Sequence, residues 1–124
     1  MPFIAADAAP RFQLHGATFT GLAAPSRGAA ETAVWMVTLV DTGEAVTHRL
    51  SREEVLVCIE GRALATIGAE THEMTPGAAA VVPPDTDFCL RNPHASPFRA
   101  VAVLPVGGQA SVPGREPFVP PWAA

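Results

Sequence analysis

Gly43-Glu44-Ala45-Val46-Thr47-His48-Arg49-Leu50-Ser51-Arg52-Glu53-Glu54-Val55-Leu56-Val57-Cys58-Ile59-Glu60-Gly61 and Gly77-Ala78-Ala79-Ala80-Val81-Val82-Pro83-Pro84-Asp85-Thr86-Asp87-Phe88-Cys89-Leu90-Arg91-Asn92 are the two stretches that decide the fold. Both hold short β-prone runs cut off by turn residues. Val55 to Ile59 ends at Glu60-Gly61, Ala80 to Val82 stops at Pro83-Pro84-Asp85, and Phe88 to Arg91 stops at Asn92-Pro93. Branched and aromatic side chains suit a pleated backbone, whereas Gly, Pro, Asn and Asp supply the torsions and side-chain hydrogen bonds of turns.

The same alternation continues on both sides. Ala33 to Val40 runs into Asp41-Thr42-Gly43, and Val46 to Leu50 forms a second short run. Ala63 to Ile67 leads to Gly68, Thr71 to Met74 leads to Pro76-Gly77, and Phe98 to Leu104 ends at Pro105. Phe12 to Thr20 is expected to hold a short edge strand. No segment sustains a helical period. Short strands with a turn signal about every ten residues predict an all-β sandwich or barrel. After Pro105 the chain carries Gly107-Gly108, Pro113, Pro117, Pro120 and Pro121, which excludes a helix or a central strand. This tail is expected to lie extended across the barrel or a partner subunit, with Trp122 anchored in an apolar groove.

In these two stretches the chain resembles the cupin superfamily. One cupin motif reads Gly, five residues, His-x-His, three or four residues, Glu, six residues, Gly. Here His48 follows Gly43 one residue early, Leu50 replaces the second His, and Glu54 and Gly61 keep their spacing. The other reads Gly, five residues, Pro-x-Gly, two residues, His, three residues, Asn. Here Gly77, Pro83 and Asn92 keep their places, Asp85 replaces the Gly and Phe88 replaces the His. The resemblance covers roughly residues 33 to 105 and implies a double-stranded β-helix, the jelly-roll barrel. It divides the chain into a barrel core at about 33–105, an N-terminal edge segment at 1–32 and a Pro-rich extended tail at 106–124, all within one domain.

A cupin metal is usually held by three His and one Glu. Only His48 and Glu54 remain, with hydrocarbon at Leu50 and Phe88, so no metal or other cofactor is expected. His72 and His94 stand away from the motif positions. The resemblance places His48 and Glu54 in the barrel mouth, where an imidazole and a carboxyl can act as general base and acid. An S-x-x-E capping box, Ser51 to Glu54, is the competing reading of Glu54. Trp35, Leu50, Leu56, Cys58, Phe88 and Leu90 are expected to line an apolar ligand pocket, although core packing alone would also account for each. Cys58 shares strand parity with Glu54 and Leu56, and a buried, unreactive thiol is the competing reading.

Three functions follow as alternatives. The first is a barrel that binds a small organic molecule and catalyses isomerisation or cyclisation without a metal. The second is a non-catalytic ligand-binding or sensing barrel, and the third a metal-dependent oxygenase or isomerase with a reduced ligand set. The fold alone does not choose among them.

Composition narrows the partners. The 124 residues are 48% hydrophobic and 16% charged, with 13 Pro and 10 Gly, which fits a turn-rich folded chain. A net charge of −4 without a basic stripe argues against nucleic acid. No apolar run approaches a membrane span, and no signal peptide is evident at Met1 to Asp7. Two cysteines, Cys58 and Cys89, are expected as free thiols in the cytoplasm. The apolar runs at Ala33 to Val40 and Phe98 to Leu104 are rich enough for cover on both faces, which predicts a homodimer.

Overall fold

The structure, a computed structural model, describes residues 1–14, 16–40 and 46–124. The turn expected at Asp41-Thr42-Gly43, including the first motif glycine, lies outside the described residues. Among the described residues there are eleven strands: β1 (Arg11–Leu14), β2 (Ala17–Ala23), β3 (Thr32–Leu39), β4 (Arg49–Leu50), β5 (Glu54–Glu60), β6 (Ala63–Ile67), β7 (Glu70–Met74), β8 (Ala79–Val82), β9 (Phe88–Arg91), β10 (Phe98–Pro105) and β11 (Ala110–Ser111). Helical structure among the described residues is limited to three 3-10 turns of three residues each. No helix among them is long and apolar enough to cross a membrane.

The strands form a six-stranded sheet in the order β1-β2-β3-β10-β5-β8, a three-stranded sheet β7-β6-β9, and a β11-β4 pair. The neighbours are antiparallel throughout. This is the jelly-roll arrangement that the motifs imply. It also corrects one detail. The segment read as a single edge strand from Phe12 to Thr20 is a hairpin of two strands. Gly16, at φ 78°, takes the left-handed conformation that lets the chain reverse there. Of these two, β1 is the edge strand and β2 is paired on both sides, so the large sheet includes residues before position 33.

Period-two patterning fixes which residues face inward. Ala33, Trp35, Val37 and Leu39 of β3, and Phe98, Ala100, Ala102 and Leu104 of β10, are buried while their neighbours are more exposed. Small residues make room for the largest one: Trp35 stands opposite Ala102 on one side and Gly21 on the other. A single apolar cluster joins this face to Ala63, Ala65, Met74 and Phe88 of the smaller sheet.

Two motif positions show why the sequence folds as it does. Gly61 has φ 73°, and a Cβ there would lie 2.1 Å from the Pro97 carbonyl oxygen, so the β5–β6 turn requires glycine. Asp85 replaces the glycine of the second motif and still adopts φ 55°, which Asp tolerates better than most residues. Its backbone N–H donates to the Leu50 carbonyl at 2.7 Å, tying the two motifs together at one end of the barrel.

Candidate functional site

One end of the barrel opens into a cavity of about 460 Å³. Its walls come from all three sheets and from the tail: Leu14, Phe19, Trp35, Val37, Leu39, Val46, His48, Leu50, Glu54, Leu56, Phe88, Leu90, Val112, Arg115, Phe118 and Trp122 among others. Seven of the eight expected site residues line it: His48, Glu54, Trp35, Leu50, Leu56, Phe88 and Leu90.

Cys58 is the exception. It is buried, as its parity demands, but it does not line the cavity. It lies four positions along β5 from Glu54, roughly 13 Å at the rise of a strand. Its Sγ points to the carbonyls of Gly61 at 3.5 Å and Glu60 at 3.7 Å, in the turn at the far end. Burial pushes its pKa up, which disfavours the reactive thiolate. Alternation gave the buried face, and the side chain turns toward the β5–β6 turn rather than into the cavity wall.

His48 is held from two directions. Its backbone exchanges hydrogen bonds with Phe88, N to O at 2.9 Å and O to N at 2.8 Å. Its ring meets the Phe88 ring edge-on with centroids 5.5 Å apart, and Nδ1 lies 3.2 Å from the Val46 carbonyl. Donation from Nδ1–H to that carbonyl fixes a neutral tautomer with Nε2 as the free acceptor. Burial lowers the His48 pKa, while the Val46 carbonyl opposes the shift. The intervening Arg49 turns outward and pairs with Asp87 at 2.6 Å.

Glu54 begins β5 opposite Val82. It caps no helix, because a strand follows it. The residue is 4% exposed, and its Oε1 has no hydrogen-bond partner among the described residues. Removal from water pushes its pKa up to about 8, so the carboxyl is protonated at neutral pH. No hydrogen bond joins Glu54 to His48, and the two shifts come from burial rather than mutual attraction. The cavity therefore presents an uncharged imidazole and an uncharged carboxylic acid, a base and an acid together.

The tail supplies what sequence reading missed. Trp122 stacks on Phe19 at 3.8 Å with 5° between the ring planes, and meets Phe12 and Trp35 at tilted angles. Arg27 donates to the Leu22 and Trp122 carbonyls, and Ser26 Oγ donates to the Ala124 carbonyl, which clamps the tail against the sheet. Strand β11 pairs with β4, and Ala110 bridges Phe118. The expected anchoring of Trp122 is thus observed, and its groove is the cavity itself. Proline density showed an extended tail; nothing local in the sequence showed where it lands.

The family model for the cupin domain matches residues 35–104, more than half of the chain. The chain is a cupin. No curated protein matches it in sequence. Among solved structures, this cupin resembles a sugar phosphate isomerase of the superfamily from Silicibacter pomeroyi, with TM-score 0.73 and 19% identity over 92% of this chain and 83% of the other. It also resembles an RmlC-like cupin from Shewanella frigidimarina, with TM-score 0.71 and 15% identity over 83% and 88% of the two chains. A salicylate 1,2-dioxygenase from Pseudoaminobacter salicylatoxidans, with gentisate, superposes with TM-score 0.71 and 16% identity over 86% of this chain and 31% of its own. At such identities the likeness shows the fold.

The cupin metal does not fit the donors present. His48 and Glu54 stand at two of the four motif ligand positions, and Leu50 and Phe88 put hydrocarbon at the others. No group of three or more His, Cys, Asp or Glu able to hold an ion occurs among the described residues. His72 is exposed on β7 beside Glu70, and His94 lies in the β9–β10 connection; neither lines the cavity.

Proposed function

We propose that this cupin binds a small, partly apolar carbonyl compound and moves a proton on it, with His48 as base and Glu54 as acid and no tightly held metal. The observation that carries this reading is the buried, unpartnered Oε1 of Glu54 in the same apolar cavity as His48. An unsatisfied buried polar group is destabilising by about 1–3 kcal/mol, and such groups cluster where a ligand completes them. Protonated Glu54 donates its hydrogen to the carbonyl oxygen while neutral His48 Nε2 takes a hydrogen from the adjacent carbon. The C–H bond breaks, a C=C bond forms, and the carbonyl becomes an enol, leaving an imidazolium and a carboxylate. Where the enol is conjugated to a further C=C bond, return of the proton from His48 to the γ-carbon, with the enol O–H proton handed back to the Glu54 carboxylate, moves the double bond and is an isomerisation. A perturbed acid and base in one water-poor cavity is the arrangement general acid–base chemistry needs.

Exchange in deuterium oxide tests the step without knowledge of the product. Apolar ketones and aldehydes incubated with the protein should lose α-protium signal in the proton spectrum faster than in buffer. His48→Ala and Glu54→Gln should each slow the enzyme-dependent rate about 100-fold or more. If no compound of this class exchanges faster than in buffer, the barrel is a binding module rather than a catalyst.

We also propose that the chain pairs with a second copy through the outer face of the large sheet. Val34, Met36, Val101, Val103, Val55 and Val57 lie in adjacent rows there, and Val57 and Val81 are exposed to 36% and 54%. Contiguous apolar surface of this kind supports burial against a partner. Light scattering should give about twice the chain mass of 12.9 kDa, and a monomer at micromolar concentration would overturn it. The free thiols of Cys58 and Cys89 support a cytoplasmic location.

A further inference from the structure

Five of the eight Phe and Trp residues of the chain line the cavity: Phe19, Trp35, Phe88, Phe118 and Trp122. Such a wall favours a flat or ring-bearing body, which gains contact area and offset or edge-on ring geometry. At about 460 Å³ the cavity lies within the range of small-molecule sites, roughly 300–1,000 Å³. The charge of the wall is as selective as its shape. Arg115 is the one permanent cation among the described residues that line it.

Arg115 is also held without being neutralised. Its guanidinium carbon lies 3.8 Å from the centroid of the Phe118 ring, and its backbone N–H donates to Val112 O at 3.3 Å. Stacking occupies the face of the guanidinium and leaves the N–H groups at its edge free. No ion pair or side-chain hydrogen bond uses them among the described residues. A planar fork of donors at the edge of an apolar chamber matches the two oxygens of a carboxylate.

We propose that the tail selects the ligand's charge: Arg115 receives the carboxylate of an apolar, ring-bearing monoacid whose body lies among Phe19, Trp35, Phe88 and Trp122. This rests on the small-molecule reading of the cavity and names the class of molecule it takes. The buried Nε1 of Trp122, without a partner among the described residues, is a second donor that the tail brings to the same ligand. A cationic amine of equal size would meet Arg115 as a like charge.

A matched series tests the assignment: phenylbutyrate, its primary amide and phenylbutylamine share one apolar body and differ in head-group charge. Calorimetry, with quenching of tryptophan fluorescence as a second readout, should rank them acid, amide, amine. The acid should bind at least about tenfold more tightly than the amide, as a charge-assisted bidentate contact implies. Arg115→Ala should bring the acid down to the level of the amide and leave the amide unchanged. Arg115→Lys, which keeps the charge but loses the fork, should fall between. Because Arg115 is exposed, the melting temperature of both variants should match the parent. Equal binding of acid and amide, or an Arg115→Ala variant that weakens all three alike, would overturn the charge selection and leave the cavity a binding site. Binding of none of the three at millimolar concentration would overturn both readings.

Discussion

Two regions of the barrel, the β9–β10 connection and the cavity mouth, treat a buried polar side chain in opposite ways. Glu54 and Asn92 are the buried polar or charged residues of the described chain, at 4% and 0% exposure. In the β9–β10 connection, Asn92 is saturated: its Nδ2 donates to Leu39 O at 3.0 Å and Ser96 O at 2.9 Å, and its Oδ1 accepts from His94 N at 2.9 Å. At the mouth, Glu54 Oε1 has no partner among the described residues. A satisfied buried amide pins the β9–β10 connection to the end of β3 and stabilises the fold. An unsatisfied buried carboxyl costs stability. The comparison teaches that burial alone does not mark a site, nor does an unmet hydrogen bond alone, since His94 Nε2 is equally unpartnered among the described residues outside the cavity; the two together in a cavity wall distinguish Glu54.

The sharpest way to break this contrast is to remove Asn92. Asn92→Ala strands two carbonyls and an N–H, and should cost about 2–4 kcal/mol by chemical denaturation. A loss no greater than that of an exposed substitution would end its role as a pin. Removing residues 117–124 takes Trp122 from Phe19 and opens the mouth. That truncation should cost about 2–3 kcal/mol, less than full burial of Trp and Phe would imply, because part of that surface already faces the cavity. An unchanged melting temperature would show that the tail covers the mouth without holding it.

The mouth should respond in the other direction. Glu54→Leu removes an unpaired polar group and should stabilise by about 1 kcal/mol near pH 8. The pH dependence follows from the raised pKa. Between the ordinary value of 4.5 and about 8, the folded state keeps the Glu54 proton that the unfolded chain has released, so stability falls as pH rises and levels off above 8. His48, with its pKa lowered, contributes the opposite slope below about pH 6.5. A stability profile from pH 5 to 9 should show the Glu54 slope in the parent and lose it in the Leu variant. A parent profile flat between pH 6.5 and 8 would mean that the carboxyl has found a partner. The smallest effect concerns metal. Chelator should move the parent melting temperature by less than about 1 °C, since an ion that does not bind the native state cannot stabilise it. Leu50→His combined with Phe88→His should acquire a metal-dependent rise. Stoichiometric metal in the parent would reopen the reading of His48 and Glu54.

Much of this was legible from residues alone. Turn residues between short apolar runs mark where most strands end, because a strand cannot continue through Gly61 at φ 73° or Pro83, although the β1–β2 hairpin and β11 were not read from them. Motif spacing put His48, Leu50, Glu54 and Phe88 around one cavity, since residues of equal parity share a face. What only the tertiary structure decided depends on contacts distant in sequence. Cys58 has the parity of Glu54, but its Sγ faces the carbonyls of the β5–β6 turn instead of the cavity. Asn92, read as a turn residue, is a buried pin because Leu39 offers a carbonyl 53 positions away. Arg115 and Trp122 reach the mouth because Arg27 and Ser26 clamp a tail whose own sequence states only that it is extended. Glu54 is an acid at neutral pH because folding excludes water from it. Local sequence determines backbone shape and facing, which are short-range properties; solvent exclusion and unmet hydrogen bonds belong to the assembled barrel.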